Sequence, residues 1–353
     1  MESLTHQQKS SFIRKEINAS YKTIKSKYPI LRYQNFWGLL IFIISISAVV
    51  LNAYLWWQGS MSSWLMIILN AFFFGVLHEL EHDLIHWMYF KSNKVMHHFM
   101  MLTIWMLRPI TINPWIRRQL HYHHHKYSGT LHDVEERGVT NGEKWGLKRL
   151  LLTPDLVLGG LTRVTQLFKD IQTEIESGRL KVDLGNRLKR YAVIGLIPIT
   201  IVSHLILYLF AINLLLNFLN SNFQTGLLFP APIQSLITFL NPIIYIILLP
   251  NVIRQFCLHL ITSNIHYYAD IEDGNVIEQT QVLNRWWTTP FQVFCFFFGW
   301  THAIHHFVVN ETFYVRHLTR KKAYKVLRKY GVRFNDFGTF KRANRFNKIA
   351  KTS

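Results

Sequence analysis

The sequence predicts an all-α polytopic membrane protein, with about four transmembrane helices beneath a cytoplasmic helical cap. Three observations predict it. From Tyr33 through His78, and again from Tyr191 through Val252, there is no Lys, Arg, Asp or Glu. Each run is far longer than the ~20 apolar residues that one spanning helix needs, so each holds two spans. The formal charge of +19 gathers in the first 32 residues, in 108–190 and in 316–351, beside the apolar runs. Finally, ten of the 18 histidines lie within 78–132 and five within 259–306.

The elements follow in order. Residues 1–35 form a basic segment, read as an amphipathic cytoplasmic lead-in that ends near Pro29. Span 1 covers Phe36–Trp57, and Trp56 and Trp57 suit an interface. The uncharged connection Gln58–Ser63 makes a short outer hairpin. Span 2 starts at Trp64 and continues as a helix into His78, His82 and His86. Val95–Leu107 is apolar but too short to span, which suggests a re-entrant or interfacial helix. Residues 113–190 are of mixed polarity and cytoplasmic. Span 3 covers Tyr191–Leu219, Asn220–Pro232 makes an uncharged outer turn, and span 4 runs from Ile233 to about Tyr268 with breaks at Pro242 and Pro250. A last basic helix is expected to be capped by Thr319 and ended by Gly331. Its stretch from Arg316 to Lys351 reads as a solvated, headgroup-contacting face. The domain boundaries are 1–35, 36–320 for the membrane domain, and 321–353 for a basic cytoplasmic tail.

Composition excludes several classes. Basic segments beside apolar runs fit cytoplasmic flanks and anionic lipid headgroups rather than nucleic acid. Both long connections and both termini are basic while both outer turns are uncharged, so every histidine cluster is expected on the cytoplasmic face. Cys257 and Cys295 are the only cysteines, too few for a disulfide framework or a cysteine-based zinc site. The polar, basic first 35 residues give no expectation of a secretory signal. The only internal repeat is a doubled His-x-x-His-His.

That repeat carries the chemistry. His121, His124 and His125 form one copy, and His302, His305 and His306 the other. On a helix or tight turn, residues three and four apart share a face, so each copy can aim three imidazoles at one place. His78, His82 and His86 recur every four residues on one face. His259 and His266, seven apart, also share one, with Asn264 nearby. Imidazole is a common ligand of zinc, copper and iron. So many histidines exceed the three or four ligands of a zinc site, and two metals are the simpler reading. Glu79, Glu81, Asp83 and Asp133 are candidate acceptors for ligand N–H groups.

His-[Asp/Glu]-x-x-His, then His121-Tyr122-His123-His124-His125-Lys126-Tyr127-Ser128-Gly129-Thr130 with Asp133 and Glu135-Glu136, then Trp300-Thr301-His302-Ala303-Ile304-His305-His306-Phe307, resembles the membrane fatty acid desaturase and hydroxylase superfamily, in particular its bacterial members. The resemblance covers roughly 36–320. It implies four spans under a cytoplasmic cap and two irons held by about nine histidines. The ligands would come from His78, His82, His86, His121, His124, His125, His266, His302, His305 and His306. In the first box His78/His82 and His82/His86 both fit, and spacing to His121 favours His82 and His86. Asn264 stands near the place of a relative's asparagine that holds an iron-bound water. The resemblance also implies O₂ as co-substrate, a fatty acyl or lipid substrate, and a bacterial inner-membrane location. No fused redox region is visible, so electrons are expected from a separate ferredoxin, rubredoxin or cytochrome b5-type donor. Desaturation leads among the reactions implied; hydroxylation, ketolation and oxidative decarboxylation to a terminal alkene use the same scaffold. A rival reading takes His78-Glu79-Leu80-Glu81-His82 as the His-Glu-x-x-His motif of an intramembrane zinc protease, with Asp273-Gly274 as a late partner. It leaves both His-x-x-His-His copies unexplained.

Overall fold

The computed structural model describes residues 4–130, 132–135, 146–161, 164–181, 183, 199–267, 271–272 and 274–340. Glu136, residues 191–198, Tyr268 and Asp273 lie outside them.

The architecture is all-α, and among the described residues four helices are long and apolar enough to cross a membrane. The amphipathic lead-in is α1, His6–Lys27, opened by a reciprocal cap between Thr5 and Gln8. Its seam of Ile13, Ile17 and Tyr21 is fully or nearly fully buried. The first apolar run gives α2 (Gln34–Trp57) and α3 (Ser63–Ile85), a tightly packed pair; Ser62 caps α3. Gly75 of α3 allows a close backbone approach, since a Cβ there would stand 2.6 Å from the Phe294 carbonyl oxygen. The short apolar piece is α4, Lys94–Leu107, with one flank buried and Val95, Phe99, Leu102 and Met106 open. Helix α5, Pro114–Tyr127, starts with proline in its first turn and the Asn113 side chain accepting from Trp115 and Ile116 N–H groups.

Beyond α5 come the short helices α6 (Leu147–Leu152) and α7 (Leu156–Leu161), then α8 (Val164–Glu176). The described part of span 3 is α9, Ile199–Phe223. Span 4 is α10, one 35-residue helix over Ala231–Ile265. Its expected irregularity is a π turn at Ile244–Leu248, lying between Pro242 and Pro250. Pro250 offers no N–H to the carbonyls one turn back. The Ile246 carbonyl accepts instead from Asn70 of α3, which in turn accepts from Asn52 of α2. In a lipid-facing bundle such side chains re-satisfy backbone groups that the helix has freed.

A strained reversal follows. Phe296 and Phe297 both adopt positive φ (47° and 56°), turning the chain into α11, Phe298–Phe307. The last described α-helix, α12, runs over Phe313–Lys329. It begins six residues before the predicted cap: Thr319 lies mid-helix, its hydroxyl donating to the Val315 carbonyl, and Thr312 takes the N-cap position. Gly331 follows the helix with φ +91°. Over its described part, 316–340, the reading of this stretch as a solvated face holds for one side of α12 only, where Lys321, Lys322, Lys325 and Lys329 are exposed, and residues 341–351 lie outside the described residues. Arg316, Ala323, Tyr324 and Leu327 are buried, because α12 packs on α1 and α11, and the helix crosses the expected domain boundary at 320/321. A parallel pair of two-residue strands, Gln281–Val282 with Arg333–Phe334, pins the segment after α12 to the one after α10.

Candidate metal centre

The site lies where α3 and α10 end and where α5 and α11 run alongside them. Helix α3 stops at Ile85, leaving His82 on its last turn and His86 as the residue that caps it. Helix α5 presents His121, His124 and His125, and α11 presents His302, His305 and His306. Helix α10 stops at Ile265; His266 is extended (ψ 156°) and bridges to Thr280. His266 therefore leaves the helical face it was expected to share with His259. His259 instead faces the Thr153 carbonyl, 2.8 Å from its Nδ1.

Among the described residues these elements assemble two groups in which one ring nitrogen of each histidine lies within 4.8 Å of those of the others. One is His82, His86, His121 and His305; the other is His124, His266, His302 and His306. His125 joins the first, its Nε2 standing 3.1 Å from that of His121 and 3.0 Å from that of His305. The remaining close approaches are also Nε2 to Nε2. They are 3.0 Å for His82–His121 and for His86–His305. In the second group they are 2.9 Å for His266–His302 and His302–His306, 3.2 Å for His124–His306 and 3.3 Å for His266–His306.

Nine nitrogen tips meeting in this way cannot be satisfied by one another. A neutral imidazole offers one lone pair and one N–H, so one nitrogen cannot serve several equivalent neighbours. A metal ion at the middle of each group removes the conflict. Two nitrogens at ~2.1 Å from one ion and at right angles lie ~3.0 Å apart, which matches the observed contacts. The donor set thus fits two ions bound by imidazole. Protonation also favours binding. Burial holds His121, His125, His302, His305 and His306 below the ordinary imidazole range, and burial followed by the Arg316 charge takes His86 down to about 3. Neutral imidazole is the ligand form.

The far side of the rings differs between ligands. His124 Nδ1 lies 2.6 Å from Asp133 Oδ2, and His121 Nδ1 lies 2.9 Å from Glu135 Oε2. A carboxylate behind a ligating imidazole fixes its tautomer and raises its basicity. One such partner thus stands behind each group. His266 Nδ1 faces the Thr262 carbonyl. Of the four acids singled out by sequence, only Asp133 plays this part. Glu81 is bound by Arg108 and Arg117, and Glu79 and Asp83 face Arg316 at 3.4 and 3.1 Å. Asp83 also accepts from the Tyr89 hydroxyl and the Phe313 N–H, tying α3 to the start of α12.

His78 stands outside both groups, its ring 5.7 Å from that of Phe298 and its Nδ1 3.5 Å from Arg117. The His-Glu-x-x-His arrangement of a zinc protease does not form here, since Glu79 faces Arg316 rather than a metal group. The Asn264 side chain donates to the Leu260 carbonyl, and the backbone carbonyl of Asn264 accepts from the Gln281 side chain. His97 bonds the Tyr89 carbonyl and stacks on Trp87, His132 pairs with Glu174, and His317 packs against Phe296. Sequence reasoning did not assign Glu135 a role or foresee the buried arginines. Glu135 is recognisable only from its place 14 residues after His121, in the sequel of the second box. Nothing in the local pattern marks the arginines as interior.

Comparison with known proteins matches residues 60–338 to the family model described as fatty acid desaturase. No curated protein and no solved structure gives a match.

Proposed function

Because the chain belongs to the fatty acid desaturase family, we propose that it is a membrane di-iron oxidoreductase that desaturates a fatty acyl chain. The observation that carries this reading is the meeting of nine Nε2 atoms in two groups at ligand spacing. His82, His86, His121, His125 and His305 would hold one iron, and His124, His266, His302 and His306 the other. Two irons bound there would supply the reactivity toward O₂ that removes hydrogen from an unactivated C–H bond. The overall balance is R–CH₂–CH₂–R′ + O₂ + 2e⁻ + 2H⁺ → R–CH=CH–R′ + 2H₂O, and the electrons come from a separate donor protein.

The chain's own residues keep the site dry, neutral and rigid. The ligands lie at the inner ends of packed helices, where burial excludes competing water. Asp133 and Glu135 orient His124 and His121 and are the carboxylates nearest the ligand rings. Asn264 braces the last turn of α10, from which His266 departs. The basic flanks favour a cytoplasmic position for this face, where an electron donor can reach it.

The test is elemental mass spectrometry of detergent-purified, iron-replete protein, followed by analysis of lipid products with a reconstituted donor. Two irons per chain and new double bonds are expected. One zinc without iron, or no metal in folded protein, would overturn the reading. A hydroxylated or decarboxylated product would keep the centre and replace the reaction.

A further inference from the structure

The two metal groups differ in how deeply they lie. All four histidines of the second group are buried, as are His82, His121 and His305 of the first. Of the nine, only His86 and His125 are partly exposed. The surface at that edge is aromatic. Tyr122 of α5 is 41% exposed, its ring lies 5.7 Å from that of His86, and its hydroxyl donates to the Ile85 carbonyl beside that histidine. Trp87, which follows His86, is also partly exposed, and the Arg118 guanidinium of α5 lies over its ring at 4.1 Å. Inward, the His125 ring stands 4.9 Å from that of His306, which links the exposed edge to the buried group.

Charge at this edge is one-sided. Residues 84–132 contain no Asp or Glu but six cations: Lys91, Lys94, Arg108, Arg117, Arg118 and Lys126. Three of them are exposed. Lys126 lies one helical turn beyond Tyr122, while Lys91 and Lys94 follow Trp87 on the way into α4. Glu135, which stands behind His121, also faces Arg117 at 3.9 Å. Electron transfer weakens steeply with the thickness of protein crossed, so the shortest entry is the edge where ligand rings reach the surface. Lysines around such an edge steer an anionic partner toward it. Encounters between redox proteins are small and transient, and a patch of this extent suffices for one. We propose that a small acidic electron-carrier protein docks over Tyr122, between Lys126 and the Lys91–Lys94 turn, and delivers electrons at the His86–His125 edge. This rests on the proposed di-iron reading and names where its donor binds. Each encounter oxidises the carrier by one electron and reduces one ferric ion, so two encounters supply the two electrons of each turnover.

The test is binding and anaerobic electron transfer between the iron-loaded, full-length protein in detergent and a plant-type [2Fe–2S] ferredoxin, used as a small acidic one-electron carrier. Lys94→Glu combined with Lys126→Glu should weaken ferredoxin binding by about tenfold or more at low salt, and wild-type affinity should fall as salt rises. Lys321→Glu combined with Lys325→Glu, at exposed positions of α12, should bind ferredoxin as the wild type does. Carbodiimide coupling should join Lys91, Lys94 or Lys126 to ferredoxin carboxylates, with the links located by mass spectrometry. Unchanged iron content, and reduction by methyl viologen radical, which is small enough to need no docking face, show that the variants are folded. Unchanged binding by the Lys94→Glu, Lys126→Glu protein, or loss of binding in the α12 pair instead, overturns the inference. Cross-links confined to lysines of α1 or α12 also overturn it. So does loss of cross-linking in nanodiscs of anionic lipid, because the lysines would then be headgroup contacts. Two irons and a desaturated product, with ferredoxin oxidation indifferent to Lys94 and Lys126, would sink this surface and leave the di-iron reading intact. Ferredoxin bound at these lysines by folded protein that holds no iron would do the reverse.

Discussion

Asp133→Asn tests the two metal groups separately, because Asp133 stands behind His124, which belongs to one of them. The 2.6 Å contact from His124 Nδ1 becomes a weaker bond to a neutral amide. Loss of such a carboxylate partner typically costs ten- to a hundredfold in metal affinity. That corresponds to about 1.4–2.8 kcal/mol, confined to the group of His124, His266, His302 and His306. Glu135→Gln acts on the other group through His121, with a similar cost at 2.9 Å. The assay is iron per chain after equilibration with graded chelator concentrations. The wild type should lose iron in two steps. Each variant should move one step by one to two decades and leave the other in place, and the double variant should move both. If Asp133→Asn retains both irons like the wild type, or if both variants shift the same step, the two-group assignment is wrong.

Three further outcomes follow from the geometry. His82→Gln should lose about one iron per chain while His78→Gln keeps two, measured by elemental analysis; equal losses would place His78 among the ligands. Arg316→Gln leaves Glu79 and Asp83 buried without their cation, and should cost ~3–5 kcal/mol in thermal unfolding followed in detergent. Glu79→Gln on that background should recover part of the loss, and no recovery would argue against the ion-pair account. Away from the ligands, burial lowers His97 to about 4 and His317 to about 3. Between those values and about pH 6.5 the unfolded chain binds more protons, so stability falls as pH drops through that window. The slope is ~1.4 kcal/mol per pH unit for each histidine, and the decline ends below its folded value. His97→Gln and His317→Asn should flatten the acid limb of unfolding midpoints measured from pH 7 to 3; an unchanged limb would refute the assignment.

The spans and the convergence of nine of the ten predicted histidines were legible because each rests on a strong local pattern. Long uncharged runs demand helices in lipid, and the three- and four-residue histidine spacing survives wherever α5 and α11 form. What was not legible depends on which partner arrives from a distance. Glu79, Glu81 and Asp83 lie beside the ligands in sequence, yet arginines from α12, α5 and the end of α4 take them. The seven-residue spacing of His259 and His266 looked like a shared face, but α10 ends one residue before His266. Thr319 resembles a cap locally, yet the tie between Asp83 and the Phe313 N–H belongs to a helix that starts earlier.

The contact between α1 and α12 sets an order of events during synthesis. Glu16 meets Lys329 and Tyr330, and Lys25 meets Glu311, across roughly three hundred residues of chain. Chains emerge from the ribosome N-terminus first, so α1 must wait with Ile13, Ile17 and Tyr21 uncovered until its partner is made. Neither metal group is complete until α11 supplies His302, His305 and His306, immediately before α12. On the di-iron reading, iron would find its full ligand set only after these last histidines emerge. A chaperone that holds α1 until α12 is made would keep that uncovered apolar seam from associating with other chains.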